Sequence, residues 1–139
     1  MQTLRLLRMR NGARIGPRIG AAALIALATL HGAAARAEVT VETIQVSMRD
    51  GVKLATDVYR DSAVTKAPVV LMRTPYNKER AKPAAERFAS AGYVAVVQDC
   101  RGKFASAGEF IPYNNEGQDG YDAIEWLGRQ PWCNGRVGM

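Results

Sequence analysis

Residues 67–98 read APVVLMRTPYNKERAKPAAERFASAGYVAVVQ, and the punctuation of this stretch decides the architecture. Pro68-Val69-Val70-Leu71-Met72 is a short, unbroken apolar run, the mark of a strand covered on both faces. Thr74-Pro75-Tyr76-Asn77 makes a turn. Pro83 then stands near the start of a helix, where its missing N–H costs nothing. Ala84, Ala85, Phe88 and Ala91 form the expected buried stripe, and Gly92 stops the helix. Tyr93–Gln98 is a second strand of the buried type.

Upstream, Val39 and Val41 alternate, and the phase then shifts to Ile44, Val46 and Met48, which predicts a bulge or bend within a strand. Asp50-Gly51 is a hairpin turn, because glycine accepts the positive φ that tight turns demand. Val52, Leu54, Thr56 and Val58 lie on one face of the return strand, with Lys53, Asp57 and Tyr59 on the other. Downstream, a glycine-containing loop covers residues 101–117. A second helix is expected over 118–129, with Tyr121, Ile124 and Leu127 as its apolar residues and Asp119 and Asp122 in its first turn. Pro131 ends it, and Arg136–Met139 begins another strand. The order β-β-β-α-β-α-β implies an α/β domain with a mostly parallel sheet and helices on both faces. The last strand is expected to leave a raw sheet edge.

The net charge of +6 has a local origin. Residues 1–37 carry Arg5, Arg8, Arg10, Arg14, Arg18 and Arg36 and no acidic residue, while all 13 acidic residues follow. The remainder is neutral, which removes the case for a nucleic-acid partner. The basic segment has its own explanation. Arg5–Arg18 is a positive n-region, Ile19–Leu30 an apolar core, and Ala35-Arg36-Ala37 the small-x-small pattern of signal-peptide cleavage. The expected organisation is a signal peptide at 1–37 and a single small domain at 38–139, exported to the periplasm or beyond. The apolar run is short of the ~20 residues of a spanning helix, so no stable membrane anchor is expected.

No phosphate-binding or dinucleotide-binding glycine motif occurs, and the cysteines and carboxylates do not cluster at metal-ligand spacing; no cofactor and no metal are implied. The one histidine, His31, lies in the leader. Residues 38–139 therefore lack the base of a Ser-His-Asp triad. Cys100 follows one parallel strand and Cys133 precedes another, which puts them at opposite sheet edges, ~17–20 Å apart. A disulfide needs Cα atoms within ~7 Å, so two free thiols are expected.

Four blocks are specific: Met48-Arg49-Asp50-Gly51-Val52-Lys53-Leu54, Arg73-Thr74-Pro75-Tyr76-Asn77-Lys78, Gln98-Asp99-Cys100-Arg101-Gly102 continuing to Ser106-Ala107-Gly108-Glu109-Phe110, and Gln130-Pro131-Trp132-Cys133-Asn134-Gly135-Arg136-Val137-Gly138-Met139. In order and spacing they resemble the X-Pro dipeptidyl-peptidase-like family of α/β hydrolases, which includes bacterial cocaine esterase and the α-amino-acid ester hydrolases. The resemblance implies a Ser-Asp-His enzyme that cleaves small-molecule esters, or peptide amides next to proline, through an acyl-enzyme. It also implies that the strand containing Val137-Gly138-Met139 leads into the nucleophile elbow. The sequence stops there. The expectation is a truncated α/β-hydrolase fold, without nucleophile, triad acid or base, and inactive as it stands.

One catalytic position is implied within the chain. Tyr76 matches the family tyrosine whose phenol helps to hold the oxyanion, against the commoner meaning of Pro-Tyr-Asn as an ordinary turn. Asp99 and Arg101 are expected to form an ion pair or loop hydrogen bonds that shape Gly102–Gly108. Asp119, Asp122 and Glu125 read as a solvated or capping face, Trp126 and Trp132 as packing, and Ser106 as a hydroxyl with nothing to deprotonate it. The alternative is a small exported, non-catalytic binding or interaction module built on half of the fold.

Overall fold

The computed structural model describes residues 38–139. The leader and its cleavage after Ala37 lie outside the described residues. The chain forms β1 (Val39–Ser47), β2 (Lys53–Asp61), β3 (Ala67–Thr74), a 3₁₀ turn (Lys78–Ala81), α1 (Lys82–Ser90), β4 (Val94–Asp99), α2 (Glu116–Gly128) and β5 (Cys133–Gly138). The expected order holds. The strands line up as β1-β2-β4-β3-β5.

The sheet is mixed rather than mostly parallel. β1–β2 and β2–β4 are antiparallel, while β4–β3 and β3–β5 are parallel. The opening hairpin causes this: β2 pairs with the central β4 as well as with β1, so it supplies antiparallel pairing on both of its sides. All six residues of β4 are buried, as a strand with neighbours on both edges and helices on both faces requires. Val94 and Val96 pack on one side with Leu71, Ala123 and Leu127. Ala95 and Val97 pack on the other with Tyr59, Ala85 and Ala89. The two helices therefore cover opposite faces.

The phase slip in β1 is not a bulge. Its pairing with β2 runs unbroken from Val39↔Asp61 to Ser47↔Lys53. Instead the covered face changes along the strand: Val39 packs on the α1 side, whereas Ile44 and Val46 pack on the other side near Trp126. The register irregularity of this sheet falls between β3 and β5, at Ala67/Val69.

Both helices turn differently from expectation. In α1 the buried residues are Ala85 and Ala89, with Ala81 packed beside them, while Phe88 is 39% exposed. A methyl-only stripe lets the helix lie close on the sheet; the larger Phe88 is left at the rim, edge-on to Tyr93 at 6.0 Å. In α2 the inward residues are Asp119, Gly120, Ala123 and Leu127, and Tyr121 and Ile124 are exposed. An ionic contact beneath the helix, described below, sets this rotation. Trp126 and Trp132 pack edge-on at 6.3 Å, as expected of packing residues. Cys100 and Cys133 are both free and buried. No described helix is long and apolar enough to cross a membrane.

Candidate functional site

In open α/β sheets, ligands bind beyond the carboxyl ends of the strands, where successive connections run off in opposite directions. Here β3 connects to β4 on one side of it, and β4 connects back past β3 to β5. The segments leaving β3 and β4 therefore frame the candidate site.

A cleft of about 380 Å³ opens at that place. Pro75 and Tyr76, leaving β3, line it together with Phe110, Pro112 and Tyr113 from the loop after β4. Arg73, Cys100 and Glu116 complete the lining. Tyr76 is 72% exposed, so its phenol is open to a bound molecule, and its backbone N–H donates to Thr74 Oγ1 at 3.0 Å. Asn77, next in the chain, has φ 82°, a left-handed conformation that costs a non-glycine residue free energy.

The loop after β4 is shaped by backbone contact. Gly102 has φ +66°, and a Cβ there would stand 2.2 Å from the Phe110 backbone nitrogen. Only glycine lets the loop fold back so closely. Ser106 is buried; its hydroxyl donates to the Asp99 carbonyl at 2.8 Å and accepts from Ala55 N–H at 2.8 Å. The hydroxyl is structural, in agreement with the expectation that nothing deprotonates it.

Asp99 and Arg101 do not pair with each other. The Asp99 carboxylate accepts from Lys78 N–H at 2.8 Å and from Ala105 N–H at 3.5 Å, tying together the loops that leave β3 and β4. Arg101 instead donates to Asp119, through Nη2 at 2.6 Å and Nε at 3.0 Å, and to Asp50, through Nη1 at 2.7 Å. Hydrogen bonds with Asp119, then Asp50, raise the Arg101 pKa above its ordinary value despite burial, and Arg101 in turn lowers that of Asp50. The expected loop-shaping role of Asp99 and Arg101 stands, through partners in other elements.

Asp119 corrects the expectation of a solvated face. It is 1% exposed and lies within 3.6 Å of Arg73 as well as on Arg101. Two guanidiniums reach it, which is why α2 turns this carboxylate inward. Asp122 pairs with Arg49 at 2.7 Å, which lowers its pKa, and Glu125 pairs with Arg129 at 2.8 Å on the surface. Arg73 itself donates to Gln98 Oε1 at 2.9 Å and to the Glu116 carbonyl at 2.8 Å, and it pairs with the Glu116 carboxylate at 2.8 Å. Burial, then Glu116, pushes the Cys100 thiol up to about 11, so it stays protonated.

Sequence reasoning missed Lys78 and Asp57. Lys78 Nζ meets Asp57 Oδ2 at 2.7 Å and Glu79 Oε1 at 3.2 Å, and both Lys78 and Asp57 are buried. Asp57 Oδ1 accepts from Thr43 Oγ1 at 2.7 Å. Burial pulls the Lys78 pKa down, but the two carboxylates outweigh it and the net shift is upward. Asp57 stands on the face of β2 that the alternating pattern assigned to its polar residues, so nothing in that pattern marked its burial.

A family model described as X-Pro dipeptidyl-peptidase (S15 family) matches residues 50–139. Cocaine esterase of a Rhodococcus species is 43% identical over 102 residues, covering 69% of this chain and 18% of the esterase. Among solved structures, an aminopeptidase from a marine-sediment thaumarchaeote is 31% identical with a TM-score of 0.64, over 74% of this chain and 21% of that one. An α-amino acid ester hydrolase is 28% identical with a TM-score of 0.66, over 92% of this chain and 24% of that one. The chain thus spans less than a quarter of the length of each of these relatives.

Proposed function

Because this chain belongs to the X-Pro dipeptidyl-peptidase family of serine esterases and peptidases, we propose that residues 38–139 build the oxyanion side of an α/β-hydrolase active site. The whole enzyme opens a small-molecule ester or amide through an acyl-enzyme, and Tyr76 donates its phenolic hydrogen to the oxygen that becomes negative. The observation that carries this is the position of Tyr76: exposed, on a cleft wall, in the segment leaving β3 at the point where the sheet's connections diverge. The same place in the α/β-hydrolase architecture supplies one donor to the oxyanion hole.

A donor aimed at charge that develops only in the transition state raises kcat more than it tightens substrate binding. The nucleophile and base come from outside residues 38–139, which contain no histidine, and these residues alone are inactive. We place the enzyme outside the cytoplasm, on the strength of the positive, apolar and small-x-small succession at 1–37. Glu116, Phe110 and Tyr113 line the same cleft as Tyr76, and in this reading the cleft receives the substrate.

The deciding experiment is Tyr76→Phe in the whole enzyme. The ring stays and the donor goes. We expect kcat to fall by about 10²-fold with KM little changed. A variant with wild-type kcat on every ester and amide substrate that the enzyme accepts would remove Tyr76 from the chemistry.

A further inference from the structure

Tyr76 stands beside a strained residue, and the strain has a visible counterweight. Asn77 holds φ 82° and ψ 115°. A non-glycine residue remains in such a conformation only where its surroundings over-determine it. Part of the restraint is local: Asn77 Oδ1 accepts from Glu79 N–H at 3.0 Å, and its carbonyl accepts from Arg80 N–H at 3.1 Å.

The rest comes from Lys78. Its backbone N–H is held by Asp99 at the end of β4, and its ammonium is held by Asp57 in β2. Thr43 in β1 occupies the second Asp57 oxygen. The residue after Asn77 is thus fixed at both ends of its side chain and backbone to the rigid sheet. A buried ion pair is a poor device for stability, since an apolar pair of similar size often does as well or better. It is a good device for geometry, because charge and direction admit one arrangement.

Resting on the assignment of Tyr76 to the oxyanion, we infer that the buried Lys78–Asp57 pair, with Asp99, is the positioning assembly for the Tyr76 phenol. The assembly touches no substrate. It sets where the donor sits by tethering the strained Asn77 to β2 and β4. Carboxylates facing Lys78 Nζ are Asp57 and Glu79, with Asp99 on its backbone.

The test is a double-mutant cycle in the whole enzyme. Asp57→Asn with Lys78→Met removes both charges together and leaves Asn able to accept from Thr43. In the Tyr76 background we expect kcat to fall about tenfold or more with KM nearly unchanged. In the Tyr76→Phe background the same pair of substitutions changes kcat by less than twofold, because the group it positions is already gone. Equal losses in both backgrounds, or no loss in a folded variant, overturn the inference. Lys78→Arg keeps the charge but alters the tether length; it serves in the same cycle, with the same expected pattern, if the paired variant does not fold. Amide hydrogen exchange separates this inference from the one beneath it. Faster exchange at Lys78 in the paired variant supports the tether even if Tyr76→Phe proves fully active, and unchanged exchange there refutes it.

Discussion

Asp119 receives one guanidinium at hydrogen-bond distance and a second at 3.6 Å while almost wholly out of water. Removing one partner of such a contact costs more than the contact contributes, because the remaining charges stay buried and unpaired. Asp119→Asn keeps the shape and deletes the charge. It is expected to lower unfolding stability by about 3 kcal/mol in a urea titration, and a change under ~1 kcal/mol would show that Asp50 and Glu116 already satisfy the two arginines. Cys100 gives a prediction that depends on pH. Its thiol ionises near 9.0 when free and near 11 in the fold, so the unfolded chain releases the proton first. The contribution of this thiol to stability is therefore full below pH 9 and is lost as pH rises from 9 to 11. Cys100→Ala should abolish part of that decline in urea midpoints measured at pH 8 and 10.5; a parallel fall in both proteins argues that other groups are responsible. Neither residue declared its setting in the sequence. Asp119 and Asp122 have the same helical spacing and the same chemistry, yet one is buried and the other pairs at the surface, because only the fold brings Arg73 and Arg101 beneath the first.

Elements were legible where composition and period agreed, and were misjudged where two partners compete for one segment. The apolar runs that became β3 and β4, the Asp50-Gly51 turn and the Gly92 stop all follow from local chemistry, and each stands in the structure. The β1 phase shift is a signal of tertiary origin: the strand lies under α1 at one end and near Trp126 at the other. In α1 the sequence pattern favoured Phe88, the largest apolar side chain, but the sheet accepts only methyl groups at that distance. Ala85→Leu is thus expected to cost ~1–3 kcal/mol by overpacking. Phe88→Ala, at a position 39% exposed, should cost less than ~1 kcal/mol. Thermal unfolding of the two variants compares them directly, and a larger loss at Phe88 would mean that its contact with Tyr93 carries the helix.

At the scale of the whole molecule, a mixed five-stranded sheet carries the candidate site on the segments leaving two neighbouring strands. Family membership and the α/β order could be read from blocks spread over almost all of residues 50–139, since loops held by glycine, proline and paired charges tolerate few alternatives. The positioning contacts could not, because Thr43, Asp57, Lys78 and Asp99 meet only after β1, β2 and β4 align. The same geometry bears on whether these residues can perform a nucleophilic attack by themselves. A serine attacks only when a base takes its proton. Ser106 donates to the Asp99 carbonyl and Ser90 to the Glu86 carbonyl, which are acceptors but not bases. Ser47 and Ser62 are exposed, and no histidine occurs among the described residues to serve either. A serine-directed fluorophosphonate is therefore expected to leave the 139-residue chain unlabelled by intact-mass spectrometry, and the chain to show no ester turnover above a heat-denatured control. A stoichiometric adduct mapped to any one of these four serines would mean that the fold activates a hydroxyl by a route other than imidazole, and the division of labour proposed for Tyr76 would fall with it.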